Sequence, residues 1–501
     1  MKKRLSLLLV CIVLCALFAS CDKNDKPAET TANTVATTEK SPDTPDLPDP
    51  SSIDIAGDFN ILVAGNWAWN DFASETLDGT VVDAAICRRN EYMLSKYGVK
   101  IQNEDIVRFN SSGGTGDGYV KLYTEYMAGD HSYDAAMVGT YDVATLAYHG
   151  YIHDLNEIEH LDLSKSYWDQ KANEDLSMNG KMFYTTGDIS VVDNRSTHAL
   201  FFNKEMIKMY GMENPYDLVR SGEWTLETFG QMVKQVGSDD NNDGIYDKND
   251  TFGLFSARDN NLAMLAGAGE KICTINDRGQ LELTLYNERV VNLYDRYLAI
   301  VDDDAHTFNW QYNYITNARG NQASSAERIG MFDNNRCLFY FHMLLYVDEM
   351  RDIQTDFGIL PFPKYDAAQE SYGHYVSAWH SQFLCVPETV QDLARTGIVL
   401  EELAYQGKQM LTPAYYEKTL VGQRTRDEES VDMLDLIFDT RVYDVGVYYN
   451  IGTYKDQIGN ILETGQSLTT IYESYRSAAE VKIQEINDFF AQNTGEAGGQ
   501  Q

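Results

Sequence analysis

Short apolar runs ending at or beside glycine alternate with helical stretches from residue 59 onward, and this alternation restricts the fold most. Phe59-Asn60-Ile61-Leu62-Val63-Ala64-Gly65 has the length and apolar content of a buried strand. Residues 79–97 then follow a helical period through Val82, Ala85, Ile86, Met93 and Tyr97, with Gly98 where a helix cap is expected. Val99-Lys100-Ile101 opens a second strand, residues 133–139 form a third, and residues 141–149 form a helix behind it. Strands and helices at this spacing point to an α/β fold, a parallel sheet covered by helices. In such sheets a ligand crevice lies beyond the carboxyl ends of the strands. Trp67, Trp69, Gly139 and Tyr141 all fall at or just past such ends.

The leader sets the expected compartment. Lys2, Lys3 and Arg4 precede an almost unbroken apolar run over residues 5–18, followed by Ala19, Ser20 and Cys21. This is the layout of a secretory signal peptide, residues 1–20. The run is shorter than the ~20 residues of a membrane-spanning helix, and no second such run follows. Phe18-Ala19-Ser20-Cys21 resembles a bacterial lipobox, with Phe18 where Leu is commoner. Cys21 is therefore expected to be lipidated, its two acyl chains anchoring the protein on the extracellular face of the cell membrane. Ordinary cleavage near Ala19 is the alternative. From Asp22 to about Ser52 the chain is built mainly from Thr, Pro, Asp, Ala, Lys and Glu, without an aromatic residue. Residues 21–55 thus read as the lipidated cysteine and a disordered tether with a span of roughly 30 Å.

Roughly 450 residues remain, enough for two or three domains. The formal charge of −36 repels phosphate backbones, so nucleic acid is not an expected partner. Cys87, Cys273, Cys337 and Cys385 lie far apart with no CxxC spacing, which gives zinc or redox roles no support.

Residues 239–250 form the sharpest local motif. Counting Asp239 as the first position, oxygens recur at Asp239, Asn241, Asp243, the carbonyl of Ile245, Asp247 and Asp250, with Gly244 at the tight turn. That is the ligand order of an EF-type calcium loop, except that Asp250 stands where a bidentate Glu is usual. A structural Ca²⁺ is expected here; the bland alternative is an acidic surface turn.

Further along, helices are expected over residues 225–236, 288–301 and 388–411, strands over 355–360 and 383–386, and helical hairpin material over 458–492. Four stretches then carry a family likeness. They are Tyr133-Asp134-Ala135-Ala136-Met137 with Gly150-Tyr151-Ile152-His153-Asp154-Leu155-Asn156; Leu200-Phe201-Phe202-Asn203-Lys204; Asn214-Pro215 with Gly222-Glu223-Trp224-Thr225; and Gly358-Ile359-Leu360-Pro361-Phe362-Pro363. In order and spacing they resemble the extracellular solute-binding proteins of family 1, the maltose-binding type. The resemblance implies a two-lobed, type II periplasmic-binding-protein-like fold that closes on its ligand about a hinge. The lobes would comprise residues 56–190 with 375–410, and 191–374 with 411–495. It also implies a monomeric lipoprotein that captures a mono- or oligosaccharide for the membrane permease of an ABC importer. A peptide or other polar solute, or a surface receptor without a transport role, is the alternative.

A sugar site needs flat aromatic faces for the apolar side of the ring and planar polar groups for its hydroxyls. Trp67, Trp69 and Asn70 after the first strand offer both, as does the stretch from Ser377 through Trp379 to His380. Tyr141, Asp188 and Tyr448 are further candidates near the expected interface. Core packing is the competing explanation for each, in a chain with 33 tyrosines. No HExxH, GxSxG, Walker loop or GxGxxG is present, so an enzyme is not expected.

Overall fold

The computed structural model describes residues 43–67, 70–74, 77, 79–108, 116–311, 323–421 and 428–492. The leader, Cys21 and the first part of the tether lie outside them. No helix among the described residues is long and apolar enough to cross a membrane.

Strand β1 (Gly57–Gly65) is buried along most of its length, as a strand covered on both faces must be. After it come α1 (Val81–Tyr97), β2 (Val99–Val107), α2 (Asp117–Ala128), β3 (Ala135–Gly139) and α3 (Thr140–His149). Thr80 and Asp83 cap α1 reciprocally, and Gly98 ends it at φ 68°. Helices α4 (Gln170–Leu176) and α5 (Val192–Ser196) lead to β4 (His198–Asn203) and α6 (Leu226–Val233). Next are β5 (Gly237–Ser238), β6 (Thr251–Ser256), α7 (Arg258–Gly267), the hairpin of β7 (Cys273–Ile275) and β8 (Leu281–Leu283), and α8 (Glu288–Val301). The chain continues through β9 (Thr307–Asn309), β10 (Cys337–Met343), β11 (Phe357–Leu360), β12 (His374–Tyr375), β13 (Gln382–Cys385) and α9 (Leu393–Val421). Strand β14 (Arg441–Val442) and helices α10 (Tyr454–Gly459) and α11 (Leu468–Gln492) complete the part used below.

Two main sheets result. One has the order β13-β3-β1-β2, with β1, β2 and β3 parallel and β13 antiparallel to β3. The other runs β11-β4-β10-β6-β5 with β9 beside β6; β6, β9 and β10 are parallel, and β4 opposes β10 and β11. The connections between them lie side by side: Thr197 bridges Val376, and β12 pairs with β14. This is the two-lobed α/β architecture with a hinge.

Three expectations shift. The tether does not stay loose to residue 52: Leu47 packs on the core, and Asp43 pairs with Lys408 at 3.2 Å and accepts from Ser166 Oγ. Pro45 is buried as well, so apolar contact and the Asp43 charge together dock this short proline-rich strap. The helix expected from residue 388 begins at Leu393 because Asp392 accepts from the Arg395 N–H and acts as its cap. It also runs past residue 411, its expected end, and through Pro413 to Val421.

One buried contact ties the first sheet to the first connection. Asp71, just past β1, is 1% exposed. Its carboxylate accepts from Arg195 Nη1 at 2.8 Å, Ser190 Oγ at 2.7 Å and Val191 N at 2.9 Å. Burial works to raise its pKa, but Arg195 and these bonds outweigh it and hold the group below the usual carboxylate range. Arg89 of α1 clamps the same junction through Ile189 O and Asp71 O, and burial pulls its pKa down to about 10. Asp71→Ala would strand the buried Arg195 guanidinium and remove the opposing charge near Arg89, and should cost about 3–5 kcal/mol in urea unfolding. A loss below about 1 kcal/mol, typical of a surface pair, would show that this junction does not hold the lobes together.

Candidate functional site

The carboxyl ends of the parallel strands in both sheets converge on one cavity of about 430 Å³, within the range of roughly 300–1,000 Å³ of small-ligand sites. From the first sheet, Trp67 follows β1 and Tyr141 follows β3. Ser377, Trp379 and His380 lead into β13, whose reversed direction puts its amino end at the same edge. From the second sheet, the first turn of α7 follows β6, Trp310 follows β9, and His342 with Met343 ends β10. His198 opens the antiparallel β4, and α10 adds Lys455 and Asp456.

Aromatic rings form the walls. Trp67 stacks on His380 with centroids 5.3 Å apart. Opposite them Trp310 lies nearly parallel to His342 at 6.0 Å, with the Arg328 guanidinium 3.7 Å over its ring. The Lys455 ammonium sits 4.8 Å from the centre of the Tyr141 ring.

The tip of α7 supplies a polar ledge. The Ala257 N–H donates to Asn260 Oδ1 at 2.7 Å, and the Arg258 N–H donates to Gln311 Oε1 at 2.9 Å. Both amide oxygens are thereby fixed, and neither NH₂ group has a hydrogen-bond partner among the described residues. Lys455 and Asp456 pair at 3.0 Å, whereas no ion pair joins Arg258 to Asp259 among the described residues. Asp259 is open to the cavity on one side and enclosed by protein on the others. Burial raises its carboxyl above the usual value, with Arg258 and Lys455 opposing the shift and Asp456 adding to it.

The imidazoles carry no charge. Burial takes His198 and His380 down to about 3 and holds His342 well below its ordinary value, with Arg328 and the neighbouring imidazoles reinforcing the last. The charged side chains at the cavity, Arg258, Asp259, Lys455 and Asp456, balance in sign. An aromatic-walled, charge-balanced cleft with amide and carboxylate groups along one edge suits a neutral, hydroxyl-rich ring.

The residues singled out from sequence divide. Trp67, Tyr141 and Trp379 meet in the cavity. Trp69 lies outside the described residues. Asn70 shapes a turn, accepting from Phe72 N and Ala73 N and donating to Asp105. Asp188 accepts from Thr412 Oγ1 at 2.5 Å, away from the cavity wall. Tyr448 is 2% exposed and packs against Phe383, centroids 5.6 Å apart. The α7 tip escaped sequence reading, although it follows the carboxyl end of β6, the kind of position where a crevice is expected. Nothing local marked His198 or His342.

In the 239–250 loop, Asp239 accepts from Asp243 N and Gly244 N, Asp243 from Ile245 N, and Asp247 from Asn249 N. Asp250 is fully buried and gives both oxygens to the Asp240 and Asp247 N–H groups. No three Asp, Glu, His or Cys side chains among the described residues are gathered closely enough to hold a metal ion.

A histidine whose pKa falls on folding adds stability above about 6.5 that is lost as pH falls toward its folded value. The ring-proton shifts of His198 and His380 should therefore stay constant from pH 8 to pH 5 in NMR titrations. Protonation midpoints above 5 would show that the cavity carries positive imidazoles.

No protein-family model and no curated protein sequence matches the chain. Solved structures match it in fold. An ABC substrate-binding protein from Listeria monocytogenes, in complex with cycloalternan, aligns over 87% of this chain and 99% of its own, with 14% identity and a TM-score of 0.51. A sugar transporter protein from Rhizobium etli in an open conformation aligns over 87% and 99%, with 14% identity and a TM-score of 0.53. The galacto-N-biose-/lacto-N-biose I-binding protein of an ABC transporter from Bifidobacterium longum, in complex with lacto-N-biose, aligns over 87% and 98%, with 11% identity and a TM-score of 0.52. At such identities the likeness is one of fold.

Proposed function

We propose that the chain is the substrate-binding subunit of an ABC importer and holds a mono- or oligosaccharide in the cleft between its lobes. One observation carries this reading. Aromatic faces and free amide and carboxylate groups from two separate sheets converge on a single charge-balanced cavity. The sugars bound by proteins of the same fold support it. Binding is non-covalent and without turnover, and the ligand passes to the transmembrane permease. The leader supports export and a lipid anchor on Cys21, with the body held as a monomer outside the cell.

The test is thermal unfolding of the mature body against a panel of sugars, polyols and peptides. A ligand at a hundred times its dissociation constant adds about 2.7 kcal/mol and raises the midpoint by several degrees. Trp67→Ala should then weaken sugar binding by about tenfold, the value of an aromatic contact near 1.5 kcal/mol. Asp259→Asn should weaken it by at least as much, since a hydrogen bond to a charged group is worth about 1.5–3 kcal/mol. Tyr448→Phe should leave it unchanged. Hits with peptides alone would overturn the carbohydrate assignment, and conversion of a glycan would overturn the binding-protein reading.

We also propose that the 239–250 loop takes up Ca²⁺, its carboxylates closing on the ion as it binds. The oxygen pattern and the hydrogen-bonded curl around Gly244 support this. Millimolar Ca²⁺ should raise the thermal midpoint of EDTA-treated protein, and Asp239→Ala should abolish the effect. A midpoint indifferent to both would mark the loop as a surface turn.

A further inference from the structure

The second sheet's side of the cavity is built to donate. Asn260 is 1% exposed and lines the cavity, and its Oδ1 is spent on the Ala257 N–H, so its NH₂ group is what it offers there. Gln311 repeats the device, with Oε1 held by the Arg258 N–H and its NH₂ group without a protein partner among the described residues. The wall beside them follows the same pattern. His342 Nδ1 accepts from the Met343 N–H at 2.9 Å, which fixes the proton of the neutral ring on Nε2. Neither that N–H nor the indole N–H of Trp310 meets an acceptor among the described residues. Acceptors are scarce by comparison. Lys455 donates to both oxygens of Asp456, and at the tip of α7 the carboxylate of Asp259 is unengaged by hydrogen bond or ion pair among the described residues.

This imbalance selects a ligand group. A sugar hydroxyl that accepts from an NH₂ group must still place its own proton, and a buried polar hydrogen without an acceptor is costly. Each further hydroxyl therefore calls on Asp259 again, whereas an oxygen that only accepts makes no such demand. A carboxylate would bring a charge into a cavity whose charged side chains already balance and whose imidazoles are neutral. Ether oxygens of the ring accept weakly. A carbonyl oxygen is neutral and accepts strongly. The same side of the cavity is also apolar. Leu262 lies one turn beyond Arg258 and Asp259 on the same face of α7, and Phe341 and Met343 share one face of β10. Hydroxyls pressed on these side chains would lose their water for nothing, while a methyl group gains from contact with them.

We propose that the cavity takes an N-acylated amino sugar and seats its acylamino group at the tip of α7. The carbonyl oxygen accepts from the NH₂ groups of Asn260 and Gln311, the amide N–H donates to Asp259, and the acyl methyl packs on Leu262 and Met343. An acylamino group carries an oxygen that only accepts, a single N–H and a methyl on neighbouring atoms, which is the complement of this wall. The aromatic faces hold the ring, and the α7 tip reads its substituent. This inference rests on the carbohydrate reading above and narrows it to a substrate class.

The experiment is calorimetric titration of the mature body with matched sugars: N-acetylglucosamine against glucose, glucosamine and glucuronate, and N-acetyllactosamine against lactose. In each set the N-acetylated sugar should bind at least about tenfold more tightly than its partners, since the carbonyl and the N–H each gain a hydrogen bond, one of them to a charged group. Asn260→Asp keeps the oxygen that caps α7 and replaces the NH₂ group by an acceptor. It should cut the preference for the N-acetylated sugar to below about threefold while changing the affinity for lactose or glucose less, a selectivity that a merely structural role would not produce. Should that variant not fold, Gln311→Glu keeps the oxygen that holds the Arg258 N–H and should reduce the same preference at least about threefold. Parent sugars that bind as tightly as their N-acetylated forms would overturn this inference and leave the binding-protein reading standing. Tightest binding of glucuronate would place an anion beside Arg258 and overturn it, as would a preference that survives both substitutions. If no sugar binds, the inference and the carbohydrate reading fall together.

Discussion

The lobes of this protein are held in register by a carboxylate that should not want to be where it is. Asp71 is almost wholly removed from water, and only Arg195, the Ser190 hydroxyl and the Val191 N–H make its charge tolerable. Those partners all lie on the first connection to the second lobe. The loop after β1, which carries Trp67, is thereby locked to the segment about which the lobes turn. An apolar contact at this point would allow sliding; a buried charge does not, because any displacement leaves it unsolvated.

The cavity follows from strand direction. Parallel strands end at the same edge, and in both sheets that edge faces the same space, with the antiparallel β4 and β13 presenting their opposite ends there. Side chains at seven separate places in the sequence become neighbours for this reason, and α10 adds an eighth. The charges inside the cavity cancel and its histidines are neutral, while Arg441 on β14 pairs with Asp169 and Asp193 outside its wall.

How far the sequence could be read depended on whether a signal was local. Strand β3 and helix α3 were expected within two residues of their observed bounds, because period, cap and glycine lie close together in the chain. Helix α9 was misjudged at both ends. Asp392 as a cap looks like any acidic loop residue until the Arg395 N–H is turned toward it, and Pro413 breaks a helix only where neighbours do not hold it. Trp67 and Trp379 could be found because they follow or precede recognisable strands. Tyr448 and Asp188 could not be rejected, because burial against Phe383 or beside Thr412 is a property of distant segments.

The sequence by itself determined the alternation of strands and helices, the signal-like layout of the leader, the net negative charge and the oxygen pattern of the 239–250 loop. Each depends on residues within a few positions of one another, where backbone preference and periodicity act. Only the tertiary structure decided which aromatics line the cavity and which are core. It alone placed the tip of α7 and Trp310 opposite Trp67, and it alone set Asp169 and Asp193 against Arg441. Those outcomes depend on contacts between segments tens to hundreds of residues apart. There, burial and the pairing of charges act between surfaces that do not exist until the two sheets have formed.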